Sequence, residues 1–312
     1  MRILSFFAMK FQTKTVVSIW GMFLAVVLFH ATVMADNQTV LADTNPLAAP
    51  ESHGGLFNWL DPRSAYYQDF FPTPLLLEQT SLEKEGEVEL TSLNTEANDQ
   101  RSGIYTIQFE KSFGLLTLEL EVPCERNLDA GEVSQGIGNI NLSARYPLYQ
   151  FVSASGVFDT TLGVGVGVGI PVNSAVSKNT ELTPEIFNDL KLGKYFSCQS
   201  VFGYSTLFGG GDAGGLHTFE YGFDFACTIP HGKLPLPGVQ HVIPMFELVG
   251  ETELNKDSSG QNSLLGCMGL RLDLKPIGDV APSLGLGFVF PMDDAARSEV
   301  HWGIATSLAF EF

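Results

Sequence analysis

Between residues 116 and 122, Leu116, Leu118, Leu120 and Val122 hold one parity while Thr117, Glu119 and Glu121 hold the other. A period of two puts each set on its own face of a β-strand, so the segment predicts a strand with one apolar and one polar face. The alternation recurs down the chain. Ile140, Leu142, Ala144 and Tyr146 alternate with Asn139, Asn141, Ser143 and Arg145, and Phe219, Tyr221, Phe223 and Phe225 with Thr218, Glu220, Gly222 and Asp224. Met268, Leu270, Leu272 and Leu274 alternate with Arg271 and Asp273, and the chain closes on Trp302, Ile304, Leu308, Phe310 and Phe312. Turn-forming clusters between these runs predict about twelve strands, at 85–95, 102–111, 114–123, 136–147, 154–170, 185–195, 197–208, 216–229, 240–253, 262–274, 280–290 and 300–312.

Two all-β architectures use such strands. In a soluble sandwich the apolar faces meet in a shared core, whereas in an outer-membrane barrel they face lipid and the polar faces line the lumen. The links favour the barrel, because short turns alternate with longer loops. KSFG (111–114), the regions near Pro147 and Ser197, and KPIGD (275–279) are short. NTEANDQR (94–101), PCERNLDAGEVSQ (123–135), PVNSAVSKNTELT (171–183), GGGDAGG (209–215), NKDSSGQN (255–262) and PMDDAARSE (291–299) are longer and mostly polar. One link, HGKLPLPGVQ (231–240), is long where a turn is expected. The expectation is an all-β transmembrane, antiparallel up-and-down β-barrel spanning residues 85–312, with about twelve strands.

Residues 1–35 differ from the rest. Lys10 and Lys14 precede the apolar run VVSIWGMFLAVVLF, and ATVMA before Asp36 offers Val33 and Ala35 to a signal peptidase, so a cleaved secretory signal is expected, a retained anchor being the alternative. Residues 36–84 carry Phe57, Trp59, Leu60, Tyr66, Tyr67, Phe70 and Phe71 close together. Clustered apolar groups seek burial, so this N-terminal periplasmic segment is expected to fold into or beneath the lumen as a partial plug.

Charge then narrows the partners. The 17 Lys+Arg against 35 Asp+Glu give a formal net charge of −18, and the first 35 residues hold only basic members of that balance, Arg2, Lys10 and Lys14. Nucleic acid is excluded as a partner for want of a basic footprint. The terminal strand ending in Phe312 is similar to the carboxy-terminal signal read by the outer-membrane assembly machinery, which together with outer-membrane lipid is an expected partner. The expected location is the cell outer membrane of a Gram-negative-type bacterium.

GIGNINLSARYPL (136–148), the glycine-rich strand ending in IPV (170–172), LKLGKYF (190–196), FFPTPLLLEQTSLEKEGEVEL (70–90), PMFELVGETE (244–253) and GLGFVFPMDD (285–294) carry a resemblance. They resemble the bacterial outer-membrane β-barrel family associated with the meta-pathway of phenol degradation, a porin-like family. That resemblance implies a channel or facilitator for small molecules, aromatic or hydrophobic compounds among them, and supplies no catalytic residues. An envelope barrel with a structural or binding role and no transport is the alternative.

No enzyme, cofactor or metal site is expected. LGVGVGVGIP (162–171) has the G-x-G spacing of a nucleotide loop, but its glycines alternate with Val and Ile and stop at Pro171, with no helix start and no Gly-Lys-Ser/Thr. His53, His217, His231, His241 and His301 are scattered, and His301 and Ser307 lie six residues apart on one strand, about 20 Å, too far to act as a base–nucleophile pair. Of the four cysteines, Cys124 falls in an outer loop, Cys267 in mid-strand, and Cys198 and Cys227 near turns of neighbouring hairpins, where a disulfide is conceivable.

The candidate site is therefore the lumen wall. Gly163, Gly165, Gly167 and Gly169 fall on the lumenal parity opposite Leu162, Val164, Val166, Val168 and Ile170, and Gly285 and Gly287 repeat the small lining. Glu220 and Asp224, Glu247 and Glu251, and Arg271 share a lumenal charge cluster, with Arg145 on a more distant strand. Opposed charges there would either set a transverse field for polar passengers or satisfy one another in a wetted lumen.

Overall fold

The computed structural model describes residues 70–78, 80, 86–97, 100–129, 132–173, 176–209 and 213–312, all within one compact unit of the chain. The expectations on the signal at 1–35 and on residues 36–69 lie outside them.

The strands are β1 (Gly86–Ala97), β2 (Gln100–Phe113), β3 (Leu116–Asp129), β4 (Glu132–Ile137), β5 (Asn139–Val152), β6 (Phe158–Pro171) and β7 (Thr180–Leu192). They continue as β8 (Phe196–Phe208), β9 (His217–Cys227), β10 (Ile229–Pro230), β11 (Val239–Glu253), β12 (Asn262–Leu274), β13 (Ala281–Pro291) and β14 (Trp302–Glu311). A short helix, α1 (Asp294–Glu299), precedes the last strand. Apart from β4 and β10, which extend the edges of β3 and β11, twelve strands pair antiparallel with their neighbours in the ring. β14 then pairs back onto β1, Val88 opposite Phe310, and Gly86 and Phe312 exchange backbone hydrogen bonds at 3.1 and 3.0 Å. The sheet closes on itself, which removes both edges and rules out the two-sheet sandwich.

Inside and outside follow the alternation. Leu284, Leu286 and Phe288 on β13 point outward and are exposed, while Ser283 and Val289 point inward and are buried. Outward aromatics gather towards both rims. Phe113, Phe151 and Phe196 lie near the end where β1 begins, here the turn end; Tyr204, Phe208, Phe219 and Trp302 lie near the opposite, loop end.

Gly114, in the two-residue turn between β2 and β3, adopts φ 67°, a backbone state that side chains resist. Two predicted loops are instead strand. β1 and β2 run to Ala97 and from Gln100, and β3 and β4 pair out to Asp129 opposite Glu132, which puts Cys124 in a strand opposite Tyr105. The apolar alternation stops where the outer face turns polar, but the backbone ladder continues past it. The sixth strand starts at Thr180 rather than 185. Pro184 sits where the β7–β8 ladder skips from Leu182 to Glu185, a gap that masked the strand in sequence.

Candidate functional site

Residues 70–78 and 80 lie inside the barrel. Phe70 sits under the Lys191 ammonium, 4.8 Å from the ring centroid, and Thr80 hydrogen-bonds Asp189 and Gln199. Both contacts are at the turn end of β7 and β8, so the segment enters and leaves at one end and its bend at Leu75–Leu77 points up the lumen.

Three strands' worth of small residues make room for it. A side chain at Gly269 or Gly285 would overlap Leu75, one at Gly222 would overlap Leu77, and one at Gly287 would overlap Cys267 and press on Leu75. Leu75 packs with Ala226, Ile243, Met245, Cys267, Val289 and Ala305. Burying a leucine this way contributes about 1.5–3 kcal/mol. Lower down, Phe71 packs with Leu115 and Phe187.

Polar groups lock the bend. The Glu247 carboxylate, wholly buried, accepts the backbone N–H groups of Leu75, Leu76 and Leu77, each at 2.8 Å. Three consecutive N–H groups left by a bend form a concave anion seat, and here the anion is a side chain of the barrel wall. The Gln199 amide donates to the Pro72 carbonyl at 2.6 Å and to Asp224 at 3.4 Å.

The predicted charge cluster resolves into separate groups. Glu220, Asp224, Glu247, Glu251 and Arg271 do face inward, and Asp224 and Glu247 are directly opposite in register. Arg271 nevertheless reaches across the lumenal face past β13, donating to Glu89 on β1 at 2.7 Å and to Ser307 on β14 at 2.6 Å. Ser307 is thus held by Arg271 and Glu89, while His301 lies at the far end of β14. Arg145, 1% exposed, binds Glu110 and Glu119, both at 2.6 Å, and Glu78 of the lumenal segment at 3.4 Å. Of these acids, absent from the predicted cluster, Glu110 and Glu119 were visible in sequence only by their lumenal parity, and Glu78 only as an acid of the N-terminal segment. Nothing local marked them as neighbours of Arg145.

The six glycines of the predicted wall all face inward, with different neighbours. Gly163 is covered by the Phe187 ring, Gly165 by Glu185, and Gly169 by Asn141, Asn139 and Glu181; Gly285 and Gly287 face Leu75. Gly167 alone on this strand faces open space, its nearest neighbour atom being the Thr183 carbonyl oxygen at 3.9 Å from a would-be Cβ. It lines a cavity of about 470 Å³ on the loop-end side of the bend. Among the described residues, eight glutamates and no lysine or arginine line that cavity. At the loop end, burial and then Glu251 push the Glu299 carboxyl of α1 up to about 8, and it accepts a long 3.5 Å bond from Ser263 of the cavity wall.

Cys198 and Cys227 face outward on adjacent strands but diagonally, Cys198 opposite Phe225 and Cys227 opposite Phe196, and both thiols are free. Diagonal neighbours lie about 7–8 Å apart, beyond disulfide reach.

No protein-family model and no curated protein matches the sequence. The resemblance to the phenol meta-pathway barrels stands on its motifs alone. Among solved structures, an outer-membrane channel from Pseudomonas putida F1 is similar at 14% identity and TM-score 0.48, over 73% of this chain and 94% of that one. The NanC porin is similar at 7% identity and TM-score 0.42, over 72% and 98% of the two chains. LpxR from Salmonella typhimurium is similar at 11% identity and TM-score 0.38, over 72% and 100%.

Proposed function

We propose that this protein is an outer-membrane channel or facilitator for small molecules, partly closed from the turn end by residues 70–78 and 80. The observation that supports it is a closed barrel whose outer face is apolar between two aromatic rims, with a polar cavity continuing past the bend. A closed sheet satisfies every ladder hydrogen bond internally, and aromatic girdles at both ends of an apolar band suit the interfaces of a bilayer. Lipid is the partner of that outer face. The assembly machinery that reads terminal strands is the partner of β14 and Phe312.

The resemblance adds aromatic or hydrophobic compounds as the solute class. A neutral aromatic fits this reading better than an aromatic acid, whose anion would meet the glutamates of the cavity. One observation favours the alternative, a structural or binding barrel without throughput: the bend is held by three hydrogen bonds to a fully buried carboxylate.

Single-channel recording in planar bilayers separates the two. Wild type should show small openings and a deletion of residues 40–80 a several-fold larger conductance. Silence from both proteins, with normal heat-modifiable migration, overturns the channel. Liposome uptake of a neutral phenol, benzoate and a sugar then tests the solute class.

A further inference from the structure

We propose that the cavity beyond the Leu75–Leu77 bend is a binding site for a small organic cation carrying primary ammonium or guanidinium groups. The proposal goes beyond the channel reading by giving this cavity a ligand distinct from the aromatic solute, and rests on that reading for the cation's route but not for its binding. At about 470 Å³ the cavity falls within the size range of small-molecule sites.

Its lining has one sign of charge. Of the eight glutamates, Glu78 and Glu119 are bound by Arg145 and Glu89 by Arg271. Glu121 accepts from Asn141 and Glu181 from Ser205, neutral donors that leave the charge in place. Glu185 and Glu220 form neither an ion pair nor a hydrogen bond among the described residues. Carboxylates sharing an enclosed, partly dehydrated space repel one another, and a mobile positive charge among them offsets that repulsion.

A second observation is independent of the acidic lining. Gln108 is 8% exposed, faces the cavity, and has no hydrogen-bond partner among the described residues; Glu185, also 8% exposed, stands in the same position. The polar ends of both side chains open onto the cavity rather than onto the barrel wall, where a ligand's hydrogen-bond donors can meet them. The Gln108 amide oxygen accepts from an ammonium while Glu185 supplies its charge. No group of three His, Cys, Asp or Glu side chains among the described residues is placed to converge on a metal ion, and anions are disfavoured by the lining. An extended amine, touching several separated carboxylates, fits the spread of the acids.

Isothermal titration of the purified full chain in detergent with 1,4-diaminobutane, succinate and calcium chloride tests this. The diamine should bind and succinate should not. E185Q combined with E220Q should weaken the diamine about tenfold or more. G167L, which fills the open wall without changing charge, should abolish binding, and it tests the site even if the double variant fails to fold. No diamine binding, binding unchanged by G167L, or calcium binding in its place overturns the proposal; the first of these outcomes leaves a lumen filled by water alone. Diamine binding without conductance keeps this site and removes the channel, whereas conductance without diamine binding does the reverse.

Discussion

Gly163 and Gly167 stand four residues apart on β6 and face the same lumen, yet Gly163 lies under the Phe187 ring and Gly167 faces open space. The difference divides the lumen into two regions. Towards the turn end, the segment from Phe70 to Thr80 fills the barrel, leucines seat against glycines, and Arg145 binds three carboxylates. Towards the loop end no basic side chain among the described residues faces the cavity, and Glu185 and Glu220 stand without a counter-charge. One half is packed like a protein core and the other is an open, polar cavity. Stability is expected to reside in the first and solute contact in the second.

The largest effect should come from the filled region. Arg145→Met leaves Glu110, Glu119 and Glu78 without their cation, and breaking a buried ion pair from one side costs about 3–5 kcal/mol. The midpoint of urea unfolding in lipid vesicles, read by gel migration, should fall accordingly. An unchanged midpoint would show that the lumen there is wet enough to screen the acids.

Glu247→Ala should come next. Three backbone N–H groups lose their acceptor, so about 2–4 kcal/mol of attachment is lost and the bend is freed. Single-channel conductance should rise several-fold, and a protease added at the turn end should cut near Leu75. Wild-type conductance and resistance would show that Leu75 packing alone holds the segment.

The two regions should respond oppositely to one substitution. Gly285→Leu collides with Leu75 and should lower stability by about 1–3 kcal/mol, whereas Gly167→Leu enters open space and should change stability by less than about 1 kcal/mol while reducing conductance. Equal destabilisation by both would erase the distinction between filled and vacant walls.

The smallest effect concerns pH at the loop end. Glu299, raised to about 8 when folded, holds its proton more tightly in the folded than in the unfolded chain. The associated stability is therefore present at low pH and declines as pH rises through about 8. Glu299→Gln should flatten the pH dependence of the melting temperature between about pH 5 and 8. A slope identical to wild type would place this carboxyl in ordinary solvent.

Much of the barrel was legible in sequence because facing is a local property. A strand's period of two assigns each side chain to a face without reference to any other strand, so the outward Leu284, Leu286 and Phe288 and the inward Arg145, Glu247 and Gly167 could be read one strand at a time. Strand ends were harder to read. At Ala97 and Asp129 the ladder outruns the apolar alternation, and at Pro184 a proline hides a strand that tolerates it at a ladder gap.

Partners were not legible. The acids and bases of the predicted cluster share inward parity, but Arg271 pairs with Glu89, separated by 182 residues, and Glu247 holds Leu75, separated by 172. Such pairings depend on how the closed sheet is staggered and on where the lumenal segment bends, and neither leaves a mark in local alternation. By itself the sequence determined twelve strands, their two faces and an acid-rich interior. Only the tertiary structure decided which acids are neutralised, which glycines are covered and where side chains leave the lumen open, because those outcomes depend on distances between residues far apart in the chain.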